Sequence, residues 1–120
     1  MIQPNEILAV AVKLVSAPRP SEAECRSAIS RAYYSVFHHV IGRLGIDLDR
    51  GAGPMHQRVQ NELLSQPIVC PPDVLAAKAV FATMKRERER ADYTLTDTVT
   101  LHQAQTAISR AQKVLLAHPP

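Results

Sequence analysis

Ser21 to Gly45, read SEAECRSAISRAYYSVFHHVIGRLG, is the stretch on which the fold turns. Ser21 with Glu24 three positions on forms a capping box, the hydroxyl accepting from an orphan N–H while the carboxylate reaches back. A long helix is expected from Ser21 to about Gly45. At 100° per residue Cys25, Ile29, Ala32, Val36, Val40 and Leu44 share one side, with Tyr33 and Phe37 beside them. That side reads as core. Opposite it Ser27, Arg31, Tyr34 and His38 recur at spacings of four, three and four, a second stripe that is polar and aromatic. This stripe is either a solvated face or the lining of a groove or subunit contact.

Working outward, Ile7, Leu8, Ala11, Leu14 and Val15 recur at helical spacing behind Pro4, which predicts a first helix from about Pro4 to Ala17. Pro18 and Pro20 forbid its continuation. After the long helix, Asp47 to Pro54 reads as a loop, and a short helix follows from about Pro54 to Ser65, with Met55, Val59, Leu63 and Leu64 inward. Gln66 to Pro72 contains three prolines and must be extended or turned, with Ile68 and Val69 expected to lie across the other helices. Asp73 to Asp92 forms a fourth helix that buries Ala77, Val80, Phe81, Met84 and Ala91. Tyr93 to Asp97 is a brief loop with Thr96, Asp97 or Thr98 available to cap a last helix. That helix carries Leu101, Ala104, Ile108, Ala111 and Leu115 in a narrow seam suited to near-parallel packing. Five helical segments, short proline or glycine connections and no convincing strand predict an all-α protein, an up-and-down four- to five-helix bundle in a single domain over residues 1–120.

The densest charge run, KRERERADY from Lys85 to Tyr93, closes the fourth helix. Its charges divide on the helical wheel. Arg88 falls in line with Ala77, Phe81 and Met84 and so points inward, and Asp92 lies one turn later within its reach, which predicts a partly buried ion pair. Lys85, Arg86, Glu87, Glu89 and Arg90 distribute over the outer faces, where Lys85–Glu89, Arg86–Glu89 and Glu87–Arg90 can pair. Such surface pairs contribute only ~0.3 to 0.5 kcal/mol each.

The whole-chain composition narrows the classes. A hydrophobic fraction of 46% and a charged fraction of 21% over 120 residues describe an ordinary globular protein. The longest apolar stretch, Ile7 to Val15, is interrupted by Lys13 and falls well short of the ~20 residues of a membrane span. No signal peptide is expected, and neither is a membrane partner. Cys25 and Cys70 have neither the count nor the spacing of a disulfide framework or a zinc site, which fits two free thiols in the cytoplasm. His38 and His39 point about 100° apart on a helix and cannot hold one ion together, so no metal and no cofactor is expected. A net charge of +3 permits an anionic partner without demanding one.

Two blocks together carry a resemblance. RSAISRAYYSVFHH (Arg26 to His39) in the second helix and RERADY (Arg88 to Tyr93) at the end of the fourth, with an alanine-rich last helix, resemble the HEPN domain family (higher eukaryotes and prokaryotes nucleotide-binding), in particular its small stand-alone bacterial members of the RxxADY type. The order and spacing match over nearly the whole chain. The resemblance implies a helical bundle that forms a homodimer, with the arginine motif at a cleft between subunits. Many members are ribonucleases that need no metal and act as toxins or defence effectors, and others pair with a minimal nucleotidyltransferase or an antitoxin protein. Nuclease members carry an arginine followed four to six residues later by a histidine, the arginine stabilising the charge that builds on phosphorus and the histidine moving a proton. Carried over residue by residue, Arg88 matches that arginine, and Asp92 or Tyr93 holds the histidine's place. Aspartate near ~3.9 is a poor general acid at neutral pH and tyrosine near ~10 a poor base, so His38 or His102 would have to supply an imidazole.

Three functions follow as expectations. The first is RNA or nucleotide binding, extending to RNA cleavage by a toxin or defence component, with Arg88, Asp92 and Tyr93 as catalytic candidates and Arg86, Arg90, Arg31, Tyr34 and His38 contacting nucleic acid. The second is a dimeric interaction module without catalysis, an antitoxin or a partner of a nucleotidyltransferase. The third is a nucleotide or small-anion sensor whose arginines bind phosphate without cutting.

Overall fold

Among the described residues five helices form where the apolar periodicity places them: α1 (Pro4–Leu14), α2 (Glu22–Leu44), α3 (Met55–Leu64), α4 (Pro72–Tyr93) and α5 (Leu101–Leu116). The structure is a computed structural model and describes residues 1–51 and 53–119. Around α2 the local chemistry works as its sequence requires. Ser21 Oγ accepts the Glu24 N–H at 3.1 Å and Glu24 Oε1 accepts the Ser21 N–H at 2.8 Å. At the other end Gly45 takes φ 64°, a left-handed closure that a side chain would strain.

Helix ends differ from the periodicity reading in two places. α1 stops at Leu14 rather than Ala17. There the Val15 and Ser16 N–H groups turn to the carbonyls of Val12 and Lys13, and Ser16 Oγ donates to the Val12 carbonyl at 2.6 Å, a local hydroxyl bond that competes with helix continuation ahead of Pro18. α5 is capped by Thr100, not by Thr96, Asp97 or Thr98. Thr100 Oγ1 accepts the Gln103 N–H at 3.2 Å and Gln103 Oε1 accepts the Thr100 N–H at 2.9 Å, a reciprocal box that the earlier residues cannot complete.

The five helices form a bundle around α2, which buries Cys25, Ala28, Ile29, Ala32, Tyr33, Val36, Phe37 and Val40. Against it lie Leu8 and Ala11 of α1, Val74, Ala77, Phe81, Met84 and Ala91 of α4, and Ala104, Ala107, Ile108, Ala111 and Val114 of α5. The alanines of α5 remove side-chain bulk where this helix approaches α2. Its seam rotates slightly from the expected line, so that Val114 is fully buried and Leu115 only partly. Truncating a core ring such as Phe37, 2% exposed, to alanine removes enough contact to cost about 3–5 kcal/mol.

Short α3 closes one flank with Val59 and Leu63 inward, while Met55 and Leu64 face outward. Ile68 and Val69 do not cross the bundle. They are 88% and 92% exposed, because Pro67 and Pro71 keep the bent segment out of helix and Lys78 Nζ tethers it through the Gln66 carbonyl at 2.8 Å. Among the described residues no helix is long and apolar enough to cross a membrane. Both cysteines are free, Cys25 buried in the core and Cys70 half-buried.

Candidate functional site

The two sequence blocks meet along the line where α2 packs on α4. Spacings of four, three and one place Arg26, Ser30, Tyr33 and Tyr34 on the flank of α2 that faces the last turns of α4. Arg26 Nη1 donates to the carbonyls of Ala91 at 2.8 Å, Thr94 at 3.2 Å and Arg90 at 3.3 Å, and Nη2 donates to those of Thr94 and Asp97. A guanidinium thus satisfies the orphan carbonyls at the C-terminus of α4 and complements its negative dipole end. Glu22 fixes Arg26 from the preceding turn at 3.1 Å and also accepts the Val99 N–H at 3.0 Å. That backbone bond, ahead of its contact with Arg26, holds the Glu22 carboxyl below its ordinary range. One turn on, Ser30 Oγ donates to Asp92 Oδ2 at 3.1 Å.

Beyond that clamp Arg88 turns inward, as its position on the wheel requires, and is 5% exposed. Its Nη1 lies 3.6 Å from Asp92 Oδ2, a loose pairing, and its Nε has no hydrogen-bond partner among the described residues. Instead the guanidinium is enclosed by rings, with Cζ 5.3 Å from the centroid of Tyr33 and 5.7 Å from those of Tyr34 and Tyr93. Aromatic faces attract a cation but accept no directed N–H bond of full strength. Burial opposes the charge, yet Tyr34, Tyr93, Tyr33 and Asp92 more than offset it, so the arginine stays firmly protonated.

His56, on the first turn of α3, completes the cage. Its ring lies 5.6 Å from Tyr33, 5.8 Å from Tyr34 and 4.8 Å from Phe37 by centroids, and its Nδ1 is 2.7 Å from the Tyr33 hydroxyl. Burial first, then the positive charges of Arg88 and Lys85, push its pKa below 6.5, so the imidazole is neutral at physiological pH. Burial likewise raises the Tyr33 hydroxyl well above the ordinary tyrosine range. The site therefore joins a desolvated cation with spare donor capacity to a neutral imidazole through two shared tyrosines. Such a combination can bind an oxyanion and move a proton.

Of the residues singled out from sequence, Arg88, Asp92, Tyr93 and Tyr34 come together here. Tyr93 is 74% exposed and forms the outer wall of the cage. Arg31 and His38 are exposed on the same helix, with the His38 ring 6.4 Å from that of Tyr34. The outer charges pair differently from expectation except for Lys85–Glu89, at 3.8 Å. Glu87 binds Arg110 of α5 at 3.0 Å rather than Arg90, and Arg90 binds Asp97 at 2.8 Å and the Thr98 carbonyl at 3.3 Å. Arg86 forms no ion pair with Glu89, because it leans back to Thr83 Oγ1 at 3.5 Å and is otherwise left to solvent. His102 is exposed at the start of α5 and does not join the rings of the cage.

Two contributors escaped the sequence reading. His56 stands three and seven positions before the inward Val59 and Leu63, a helical register that marks it as core-facing. Arg26 carried no comparable signal beyond its spacing from Ser30 and Tyr33. Among the described residues no three His, Cys, Asp or Glu side chains converge on a metal position. Compared with protein-family models, with curated proteins and with solved structures, the chain matches none of them.

Proposed function

We propose that this chain is a HEPN-type protein of the cytoplasm that acts on RNA as a homodimer, Arg88 contacting a phosphodiester and His56 moving the proton. One observation supports the reading above others. Tyr33 and Tyr34 each lie against both the Arg88 guanidinium and the His56 imidazole, so the basic group that RERADY lacks is supplied from α3. The tautomer that donates Nδ1–H to the Tyr33 oxygen leaves Nε2 as the accepting atom. In such a site the 2′-hydroxyl gives its proton to His56 Nε2 as its oxygen bonds to phosphorus. Arg88 then stabilises the added charge, and the departing 5′-oxygen takes a proton from water. Exposed Tyr93 and half-buried Tyr34 offer faces on which bases stack, and Arg86, Arg31 and His38 extend the contact to neighbouring phosphates. Arg90 contributes through the α4–α5 loop that it ties down.

Incubation of the purified protein with transfer RNA and total RNA tests this. Cleavage that disappears in both Arg88→Ala and His56→Ala is expected, and RNA left intact at high protein concentration refutes the catalytic part. The polar stripe of Arg31, Tyr34 and His38 favours self-association, and a monomer in a sedimentation run at micromolar concentration would refute the dimer.

A second reading rests on the low exposure of Arg88, 5%, and on the carboxylate and phenol that follow it in RERADY. It makes the chain a non-catalytic module, an antitoxin or the partner of a nucleotidyltransferase. Co-purification of such a protein with RNA left uncut would decide for it.

A further inference from the structure

A second cluster of charged and titratable side chains lies fifteen residues before Arg88 on α4, about 22 Å along the helix. Its anchor is Asp73, wholly buried in the first turn of α4. Asp73 Oδ2 accepts from His39 Nε2 at 2.8 Å and from Arg43 Nε at 2.7 Å, and Oδ1 accepts from Arg43 Nη2 at 3.4 Å. Burial alone would raise this carboxyl. The bonds from Arg43 and His39 outweigh it and hold the group below its ordinary range, so the carboxylate stays charged and is spent on orienting two basic side chains.

What these side chains face is a cleft of about 550 Å³ between the start of α1, the second half of α2 and the end of α5. That volume lies within the range of small-molecule sites. Ile2, Ile7 and Ile41 supply its apolar surface, and its polar side chains include Arg43, His39, His38 and His118. Among the described residues no carboxylate lines it. Glu6, the acid of the first turn of α1, is turned to the Gln3 N–H. His39 is anchored through Nε2, and its Nδ1 has no partner among the described residues. His118 crosses it edge-on at 5.3 Å between centroids, with Nδ1 on the Pro119 carbonyl at 2.7 Å and Nε2 left over. Gln3 and Pro4, at the positive end of α1, border the same space.

Arg43 keeps Nη1 clear of Asp73, and the second ring nitrogens of His39 and His118 become donors when those rings carry a second proton, so that donors then approach from α2 and from the end of α5 beside an apolar wall. Since Asp73 already occupies the Nε and Nη2 edge of Arg43, a flat carboxylate would meet Nη1 alone. A tetrahedral phosphate engages that guanidinium and several imidazolium rings at once. We infer that the cleft formed by Arg43, His39 and His118 is a binding site for a small phosphomonoester, with the phosphate on these three side chains and the organic part against Ile2, Ile7 and Ile41. It shares His38 with the face proposed for RNA but no residue with the Arg88 cage, and it stands whether or not that cage acts on RNA.

Imidazole nitrogen resonances of the full chain provide the test, titrated with inorganic phosphate against sodium chloride at matched ionic strength and a fixed pH of about 6, where imidazolium and phosphate anion coexist. Saturable shifts of His39 and His118 are expected with phosphate and not with chloride. They should be lost in His118→Ala, an exposed position whose removal leaves the core untouched, and weakened at least tenfold in His39→Gln, whose amide can still donate to Asp73. Arg88→Met should bind phosphate as the parent does. Absence of saturable shifts, their persistence in His118→Ala, or their loss in Arg88→Met would each overturn the assignment.

Discussion

Replacing Arg88 by methionine separates a functional cation from a structural one, because the two roles predict opposite balances of stability and binding. Three ring contacts at 5.3 to 5.7 Å each contribute about 0.5–2 kcal/mol to holding the guanidinium. Against this stand an unpartnered buried Nε, which costs about 1–3 kcal/mol, and the removal of a charge from water, which costs several more. The Asp92 contact at 3.6 Å is too long to repay much of that. Methionine has a similar length and packs well on tyrosine edges. Arg88→Met is therefore expected to stay within about 1 kcal/mol of the parent, or about 4 °C in melting temperature for a chain of this size, and it can be the more stable of the two. RNA affinity should fall by about 2 kcal/mol, roughly 30-fold, and the slope of log affinity against log salt should shrink by about 0.7 for the lost phosphate contact. Urea denaturation and fluorescence anisotropy with a labelled single-stranded RNA over a salt series read both quantities, with Arg19→Met, at an exposed arginine between α1 and α2, as the surface control. A loss of more than about 3 kcal/mol in stability with unchanged RNA affinity and salt slope would refute the reasoning and make Arg88 a structural residue.

Three further outcomes are expected. Asp73→Asn should cost about 2–3 kcal/mol, about 8–12 °C in melting temperature, by leaving the donors of His39 and Arg43 partly unmatched. Since the folded carboxyl lies below its ordinary value of 3.8, its contribution is complete above that pH and is lost as pH falls through the folded value, so acid denaturation curves of the variant and the parent should converge in that window. His56 works on another window. Its folded pKa lies below 6.5, so the unfolded chain takes up the proton first and stability should decline as pH falls below 6.5; His56→Phe should flatten that decline in urea midpoints measured from pH 7.5 to 5. Arg26→Ala strips the carbonyls of Ala91, Thr94 and Asp97 of their donor and should cost about 2–3 kcal/mol, with faster amide hydrogen exchange confined at first to residues 94–100.

Much of this organisation is legible in residue order because it rests on local rules. The capping box at Ser21 and Glu24, the prolines at 18 and 20, and the three- and four-residue recurrence of Cys25, Ile29, Ala32 and Val36 depend on neighbours a turn away. The inward direction of Arg88 follows from the same wheel, since it shares a face with Phe81 and Met84. Residue order misleads where two local rules compete or where a partner comes from a distant segment. Thr100 prevailed over three other capping candidates because only it has Gln103 at the third helical position. Ile68 and Val69 read as core by hydropathy, yet prolines and the Lys78 tether keep them outside.

The ion pairs divide in the same way. Lys85–Glu89 lies within one helix and was visible, whereas Glu87–Arg110 and Arg90–Asp97 reach another helix or a loop and displaced the pairs expected within α4. His56 shows the difference most directly. Its register with Val59 and Leu63 marks it as inward, but nothing in the order of residues says that α3 folds against the rings of α2 so that this imidazole shares two tyrosines with an arginine thirty-two positions later. By itself the sequence determined the helices, their buried faces and the inward arginine, because periodicity and capping are properties of a few consecutive residues. Only the tertiary structure decided that Arg26 caps α4, that His56 joins Arg88, and that Asp73 aligns His39 and Arg43 on a separate cleft, because each depends on how helices distant in the chain pack against α2.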